Sequence, residues 1–498
     1  MIMSEYPTYI SRIPSPSEIM KKQERSAVQS NNFAVPAATG ETIMSQQVGE
    51  AQQPGVLQQP GTAQQPETMQ QPSTAQQPVA SQQPTPIDTQ YAGALKISVI
   101  SSLDQSPVAN AAVVISYTGD PESPIETLMT NSSGQTATVE LPAPPLSLSL
   151  TPEPENQPYS EYNIRVTAEG YEPALITGSE ILADELSLQV IRLNPLAATE
   201  NEEKIVNIPV HTLFGEYPPK IPEDEIKPMA ETGEIVLSRV VVPEYIIVHD
   251  GVPMDSTAPN YWVRYKDYIK NVASCEIYST WPESSIYANI LVIMSFTLNR
   301  VYTEWYRNQG YDFTITSSTA YDQKWMYGRN IFENIDYLVD SLFGNYLSRP
   351  GVRQPIFTSY CDGKRVTCSG LSQWGSKYLG DEGYSPIDII HYYYGDDMYI
   401  NTADVISGVP SSWPGYDLTI GSSGDKVRQM QTQLNRIARD YPAIPRIVAD
   451  GIYGSATADA VRTFQGIFNL PQTGVVDYPT WYEISEIYVG VTRISEPD

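Results

Sequence analysis

The chain has 498 residues, with 30 Lys and Arg against 58 Asp and Glu for a formal net charge of −28. Its length suits roughly three or four domains, and so acidic a surface repels phosphate backbones, which excludes nucleic-acid binding. Three cysteines and three histidines exclude a disulfide-built scaffold and leave too few ligands for a structural zinc site, so neither a metal nor another cofactor is expected.

The start, Met1 to Pro14, lacks a basic patch followed by an apolar stretch, so no secretory signal peptide is expected. No apolar run is long enough for a membrane span. Residues 1–91 read as a disordered tether. Pro54, Pro60, Pro66, Pro72, Pro78 and Pro84 recur with a period of six, each after Gln-Gln. That density of proline in a polar stretch favours an extended chain. Both a spacer between an anchor in residues 1–45, where a partner could dock, and the folded domains, and a drifting low-complexity tail, fit it. Pro14 to Gln29 suits a short docking helix.

Residues 92–194 read as a small β-sandwich, with short alternating runs between turn signals. The runs are Leu95–Ile100, Ala112–Tyr117, Glu126–Thr130 and Tyr162–Ala168. The succession Pro107–Ala111, Thr130–Gly134 and Val166–Tyr171 loosely resembles the carboxypeptidase-regulatory-like domains, which implies a non-catalytic spacer or adhesion module. Residues 195–240, rich in Pro and Glu, read as an extended linker.

Residues 241–405 read as an α+β unit. A strand, Tyr245–Val248, leads to a turn at Asp250-Gly251. Tyr265, Tyr268, Ile269, Val272 and Ala273 then keep helical spacing, and Glu276 continues that row at the last turn. Burial there, and the negative end of the helix dipole, raise a carboxyl pKa. A carboxyl still protonated near neutral pH can serve as a general acid. The alternative is a solvated or hydrogen-bonded helix-end glutamate. Pro282 opens a longer helix carrying Ile286, Ile290, Met294, Leu298, Val301 and Trp305, ended by Gly310, with Glu283 complementing its positive end. A β-rich stretch follows, where Cys361 and Cys368 either bridge across the Asp362-Gly363 turn or stay two free thiols. Cys275 fits a buried packing thiol. Pro386–Tyr394 closes the unit as a helix.

Residues 406–498 read as an all-α module. One helix starts at Gly424-Asp425 and carries Val427, Met430, Leu434 and Ile437. Another starts at Thr457 and carries Ala460, Val461, Phe464 and Phe468. Gly421, Gly424, Val427, Gln431 and Leu434, then Asp450–Gly454, Thr457, Ala460-Val461, Phe464-Gln465, Thr473–Val476 and Thr480-Trp481, closely resemble the three-helix peptidoglycan-binding module. The resemblance implies that the module holds an enzyme on the cell wall.

Two motifs in the central unit are similar to the SpoIID/LytB family. Glu276-Ile277-Tyr278, Trp281-Pro282 and Ala288-Asn289-Ile290 stand where family members carry Glu-Met-Pro, a Trp-Pro turn and an Ala-rich helix. Gly370–Ser376 and Ile389–Gly395 match the family's Gly-Met-Ser-Gln-x-Gly-Ala motif and its helix ending in Tyr-Tyr-Tyr. The resemblance implies lytic transglycosylation of peptidoglycan glycan strands with Glu276 as the catalytic acid. It also implies sugar contacts from Ser372, Gln373 and Trp374, with Tyr360 and Gln323 behind them. Some members hold zinc by a His/Cys cluster. Thr314–Trp325, where it would fall, has neither residue type, so zinc is not expected. The chain as a whole thus reads as a multidomain, wall-targeted bacterial enzyme of the cell wall or spore envelope. The alternatives are a catalytically inactive peptidoglycan-binding scaffold and an assembly component.

Overall fold

Alternation of buried and exposed side chains builds the first unit. In β1 (Tyr91–Ser101), Leu95, Ile97 and Val99 are buried while Lys96 and Ser98 between them stay half exposed, the period of two that a half-buried strand requires. The structure, a computed structural model, describes residues 90–196, 203–227, 237–409 and 411–492. The Gln-Gln-Pro repeat and the docking helix at Pro14–Gln29 lie outside the described residues.

The remaining strands of this unit are β2 (Ala112–Tyr117), β3 (Asp120–Met129), β4 (Val139–Ala143), β5 (Ser160–Thr167), β6 (Ala174–Ile181), β7 (Leu186–Leu193) and β8 (Lys204–Asn207), with one helical turn, α1 (Leu146–Ser149). One sheet has the order β3-β2-β5-β6-β8. In the other, β1 lies between β4 and β7. Inward-facing residues of the two sheets share one apolar core, in which Val113, Ile115, Ile164, Val166 and Ile176 meet Leu95, Ile97 and Val99.

The sandwich does not stop at residue 194. β8 pairs in parallel with β6, Ala174 opposite Lys204 through Thr177 opposite Asn207. Ile331–Phe332, from far along the chain, adds to β7. The expected linker is therefore corrected. Residues 204–207 complete a sheet, and His211, Leu213 and Lys227 beyond them are buried. Lys227 there meets Glu223 at 2.8 Å.

The central unit starts with β9 (Val241–Val242) and a three-stranded sheet in which β10 (Tyr245–His249) lies between β11 (Asn260–Arg264) and β12 (Ile315–Thr316). Helix α2 (Tyr265–Glu276) follows, then α3 (Glu283–Tyr302), β13 (Ile331–Phe332) and α4 (Glu333–Leu342). After β14 (Asn345–Ser348), β15 (Tyr360–Cys361) and β16 (Leu371–Ser372) come α5 (Gln373–Asp381), α6 (Pro386–Tyr394), β17 (Tyr399–Thr402) and β18 (Val405–Ile406). α3 ends at Tyr302, short of Gly310, which instead closes a following 3-10 turn at φ +88°. The stretch around the cysteines is less β-rich than expected. Its strands are two residues long, and Ser372 starts α5 by accepting from the Gly375 N–H at 3.0 Å, a side-chain cap. Cys361 and Cys368 form a disulfide.

α2 is not an amphipathic surface helix. Every residue except Asp267 is buried, so its lysines need internal partners. Lys270 meets Asp336 at 2.6 Å and Asp340 at 2.9 Å. Lys266 meets Asp340 at 3.1 Å and Glu486 at 2.8 Å, and Glu486 lies on the last helix of the chain. The sandwich is tied in similarly. The buried pair Arg329–Glu180 also reaches the Ser274 carbonyl at 2.7 Å.

The C-terminal unit comprises α7 (Asp425–Ile437), α8 (Ser455–Ile467) and α9 (Tyr478–Thr492), and its core runs on into that of the central unit. One arrangement occurs twice. Buried Gln431 accepts from the Gly451 N–H at 2.8 Å and donates to Ile452 O at 3.0 Å and Thr457 Oγ1 at 3.2 Å. Buried Gln465 accepts from the Gly474 N–H at 2.8 Å and donates to Val475 O at 2.9 Å and Thr480 Oγ1 at 3.1 Å. Each glutamine fixes the turn leading into the next helix, and both turn glycines have positive φ, which side-chain-bearing residues rarely adopt.

Candidate functional site

Glu276 ends α2 because Ile277 turns to an extended conformation, its N–H still bonded to Ala273 O at 3.0 Å. The carboxyl is 4% exposed and lies on the wall of a cavity of about 390 Å³. Its partners are supplied indirectly. Asn271, on the same helix, donates to Met326 O at 2.8 Å and accepts from Met326 N at 3.0 Å. This clasp sets the preceding residues so that the Lys324 N–H donates to Glu276 Oε1 at 2.8 Å. Oε2 and the Tyr360 hydroxyl are buried without a hydrogen-bond partner among the described residues. The Tyr360 phenol lies against the carboxyl and favours its ionised form, while the carboxylate in turn raises the phenol pKa.

Burial raises the Glu276 pKa above the ordinary carboxylate value. The Lys220 ammonium, the Tyr360 phenol and the Lys324 backbone oppose it without cancelling it. The same burial pushes Lys220 down to about 8. Its ammonium sits 4.5 Å from the Phe296 ring centre and 4.7 Å from that of Tyr360, and it donates to Asp322 O. Asp322 is itself held by Arg300 at 2.8 Å and the Tyr306 hydroxyl at 2.6 Å, while Arg300 also grips Glu223 at 2.9 Å. A buried charged cluster thus fixes both the segment bearing Lys220 and the loop presenting Lys324. Lys220 escapes a sequence reading because it sits in a proline-rich stretch without periodicity. Only its place between Pro219 and the acidic run that follows sets it apart.

The other walls of the cavity include Tyr360, Gln373, Asp362, Arg365, Thr212, Leu213 and residues 216–220. Arg365, inside the Cys361–Cys368 loop, donates to Thr212 O at 2.6 Å, to Phe214 O at 3.4 Å and to Gly215 O. Asp362 is bound by Arg365 at 2.9 Å and by the Val366 N–H at 2.9 Å. Those bonds hold its carboxyl below the usual range despite partial burial.

Of the residues expected to touch a sugar, Tyr360 and Gln373 line the cavity with Glu276. Ser372 serves as the cap of α5. Trp374 is 4% exposed and packs against Trp281, their ring centres 4.8 Å apart. Gln323, expected behind those contacts, lies deeper in the core. It is wholly buried, accepts from Tyr268 and Thr297, and donates to Ile293 O at 3.1 Å. Cys275 is buried and free, its thiol pushed up to about 12 by burial. Among the described residues no group of three or more His, Cys, Asp or Glu could hold a metal ion.

A family model described as "Putative peptidoglycan binding domain" matches residues 423–484. The C-terminal unit is a peptidoglycan-binding module. Its two glutamine-held turns both fall within the matched stretch, and the match supports association with the cell wall. No helix among the described residues is long and apolar enough to cross a membrane. No curated protein sequence matches the chain. Solved structures similar to part of it include the Bacillus anthracis TIE protein, at 13% identity over 24% of this chain and 21% of that one, TM-score 0.16. The minor pilin GBS52 of Streptococcus agalactiae is similar at 15% identity over 22% and 47%, TM-score 0.16. The Klebsiella pneumoniae 5-hydroxyisourate hydrolase is similar at 17% identity over 21% and 92%, TM-score 0.14. The chain thus spans 21% and 47% of the first two, and likenesses at these scores carry no argument about its activity.

Proposed function

We propose that this protein is a peptidoglycan-targeted lytic transglycosylase of the SpoIID/LytB type, with Glu276 as its single acid and base. The observation that carries the reading is the Glu276 carboxyl: buried, raised in pKa, without a hydrogen-bond partner at Oε2 among the described residues, and part of a residue that lines a cavity. Such a group donates its proton to the glycosidic oxygen between MurNAc and GlcNAc. The C1–O bond breaks, and the muramyl C6 hydroxyl closes on C1 as its proton passes to the Glu276 carboxylate. The product is a 1,6-anhydro end. A nucleophile tethered in the substrate needs no second carboxylate, unlike ordinary glycoside hydrolysis. The state of Asp362 fits this, since its oxygens are occupied by Arg365 and backbone N–H groups.

A second reading, a non-catalytic wall-binding scaffold, draws on the wall formed by Thr212, Leu213 and residues 216–220, which Arg365 clamps across one side of the cavity. Incubating the full chain with intact and peptide-free glycan strands separates the two. Anhydro-muramyl products detected by mass spectrometry and lost in Glu276→Gln support the enzyme. Pelleting with sacculi without any product supports the scaffold.

A further inference from the structure

A second cleft, of about 320 Å³, lies where the sandwich, the central sheet and the peptidoglycan-binding module meet. Ligand sites favour such junctions and combine aromatic walls with a few placed polar groups. One side of the cleft is β11, the outer strand of its sheet, so its residues reach the cleft from both faces of that edge. Trp262 is 69% exposed, an unusual state for so large an apolar ring. From the other face, Tyr261 stacks on Tyr327 at 4.8 Å between ring centres and meets Trp325 in a tilted contact at 5.3 Å.

Charge in the cleft runs against that of the chain. The lining carries five cationic side chains against two carboxylates, on a protein of net charge −28. Most of those cations are paired internally. Lys204 is not: its ammonium donates to the Tyr327 hydroxyl at 2.8 Å, and it makes no ion pair among the described residues. Asn469 of the peptidoglycan-binding module closes the far end, held by Lys96 at 3.0 Å.

We propose that this cleft is a second saccharide site, taking a carboxylate-bearing amino-sugar strand of peptidoglycan. Trp262 provides a free ring face for the apolar face of a sugar, and Lys204 receives a carboxylate. Continuity with the peptidoglycan-binding module selects the occupant. The proposal rests on peptidoglycan as partner and not on cleavage by Glu276.

The test uses the full chain labelled with 5-fluorotryptophan. It has seven tryptophans, and the ¹⁹F resonance missing from Trp262→Ala is that of Trp262. Peptide-free GlcNAc–MurNAc oligosaccharide is titrated in the Glu276→Gln background, so that a failure of catalysis leaves the result intact. The Trp262 resonance is expected to shift saturably. Lys204→Ala, followed at the Trp262 resonance, and Trp262→Ala, followed at the resonance of Trp325, which also lines the cleft, are each expected to weaken that binding roughly tenfold, the equivalent of one well-made contact, while both variants keep the wild-type melting temperature. A neutral GlcNAc oligomer is expected to bind more weakly than the MurNAc-containing one. An unmoved Trp262 resonance, or unchanged affinity in both variants, overturns the proposal. So does a Trp262 resonance that responds to protein concentration and not to sugar, which makes the cleft a self-contact.

Discussion

The Lys324 N–H holds one oxygen of Glu276 at 2.8 Å, while the other oxygen has no partner among the described residues. Burial makes the folded chain hold this proton more tightly than the unfolded chain does. Between the unfolded carboxylate value, about 4.3, and the raised folded value, the native state binds more protons. Stability from this group therefore falls as pH rises through that window. Glu276→Gln lacks the effect. The difference in unfolding free energy, variant minus wild type, is expected to grow from about pH 4 toward neutrality. Urea titrations at several pH values measure it, and a flat difference would show that Glu276 titrates as an ordinary exposed carboxylate.

Lys220 pulls the other way, since its charge favours ionised Glu276. Lys220→Met is expected to raise the Glu276 midpoint further and to move the high-pH fall in product formation to higher pH. Lys220→Arg keeps the charge and should keep the wild-type profile near neutrality. Because Lys220 titrates near 8, wild type and Lys220→Met should converge above that pH. Carboxyl ¹³C titration of labelled glutamate follows the midpoint directly.

What the sequence disclosed follows from how local its causes are. α6 was legible at both ends, bounded by Pro386 and Gly395, and α2 at its last turn, which Glu276 closes. The inward placement of Glu276 was legible from spacing alone. The β8 pairing was not, because a four-residue strand that joins a sheet in parallel has no turn signal beside it. Lys220 was hidden for the same reason, its position being set by Asp322 and Glu223 through Arg300. Trp374 and Gln323 show the converse. The family resemblance put them at or behind sugar contacts, while in the fold packing holds Trp374 and hydrogen bonds hold Gln323.

Gln431 and Gln465 make parallel predictions for the peptidoglycan-binding module. Replacing Gln431 by Ala leaves the buried Gly451 N–H without its acceptor, at a cost of about 1–3 kcal/mol. Gln465→Ala does the same to Gly474. Each is expected to lower the denaturation midpoint and to reduce pelleting with sacculi, while Gln→Glu, which keeps the acceptor but loses the donor, should lie between. Loss of pelleting with no change in midpoint would instead make these glutamines ligand contacts.

Arg365 and Glu223 hold different parts of one cavity wall, which predicts unequal loosening. Arg365 grips residues 212–215 from within the disulfide loop. Arg300 grips Glu223, and Asp322 O accepts from Lys220. Arg365→Ala, or reduction of Cys361–Cys368, removes the first hold and leaves the second. Hydrogen–deuterium exchange is expected to speed up across residues 212–217 and to stay at its wild-type rate across 220–224 and in α3. Thr212 also bonds to Cys275 O at 2.7 Å, beside Glu276, so exchange at the end of α2 should rise slightly as well. Uniform acceleration through 224 would mean that the disulfide loop, and not the Arg300 cluster, positions Lys220.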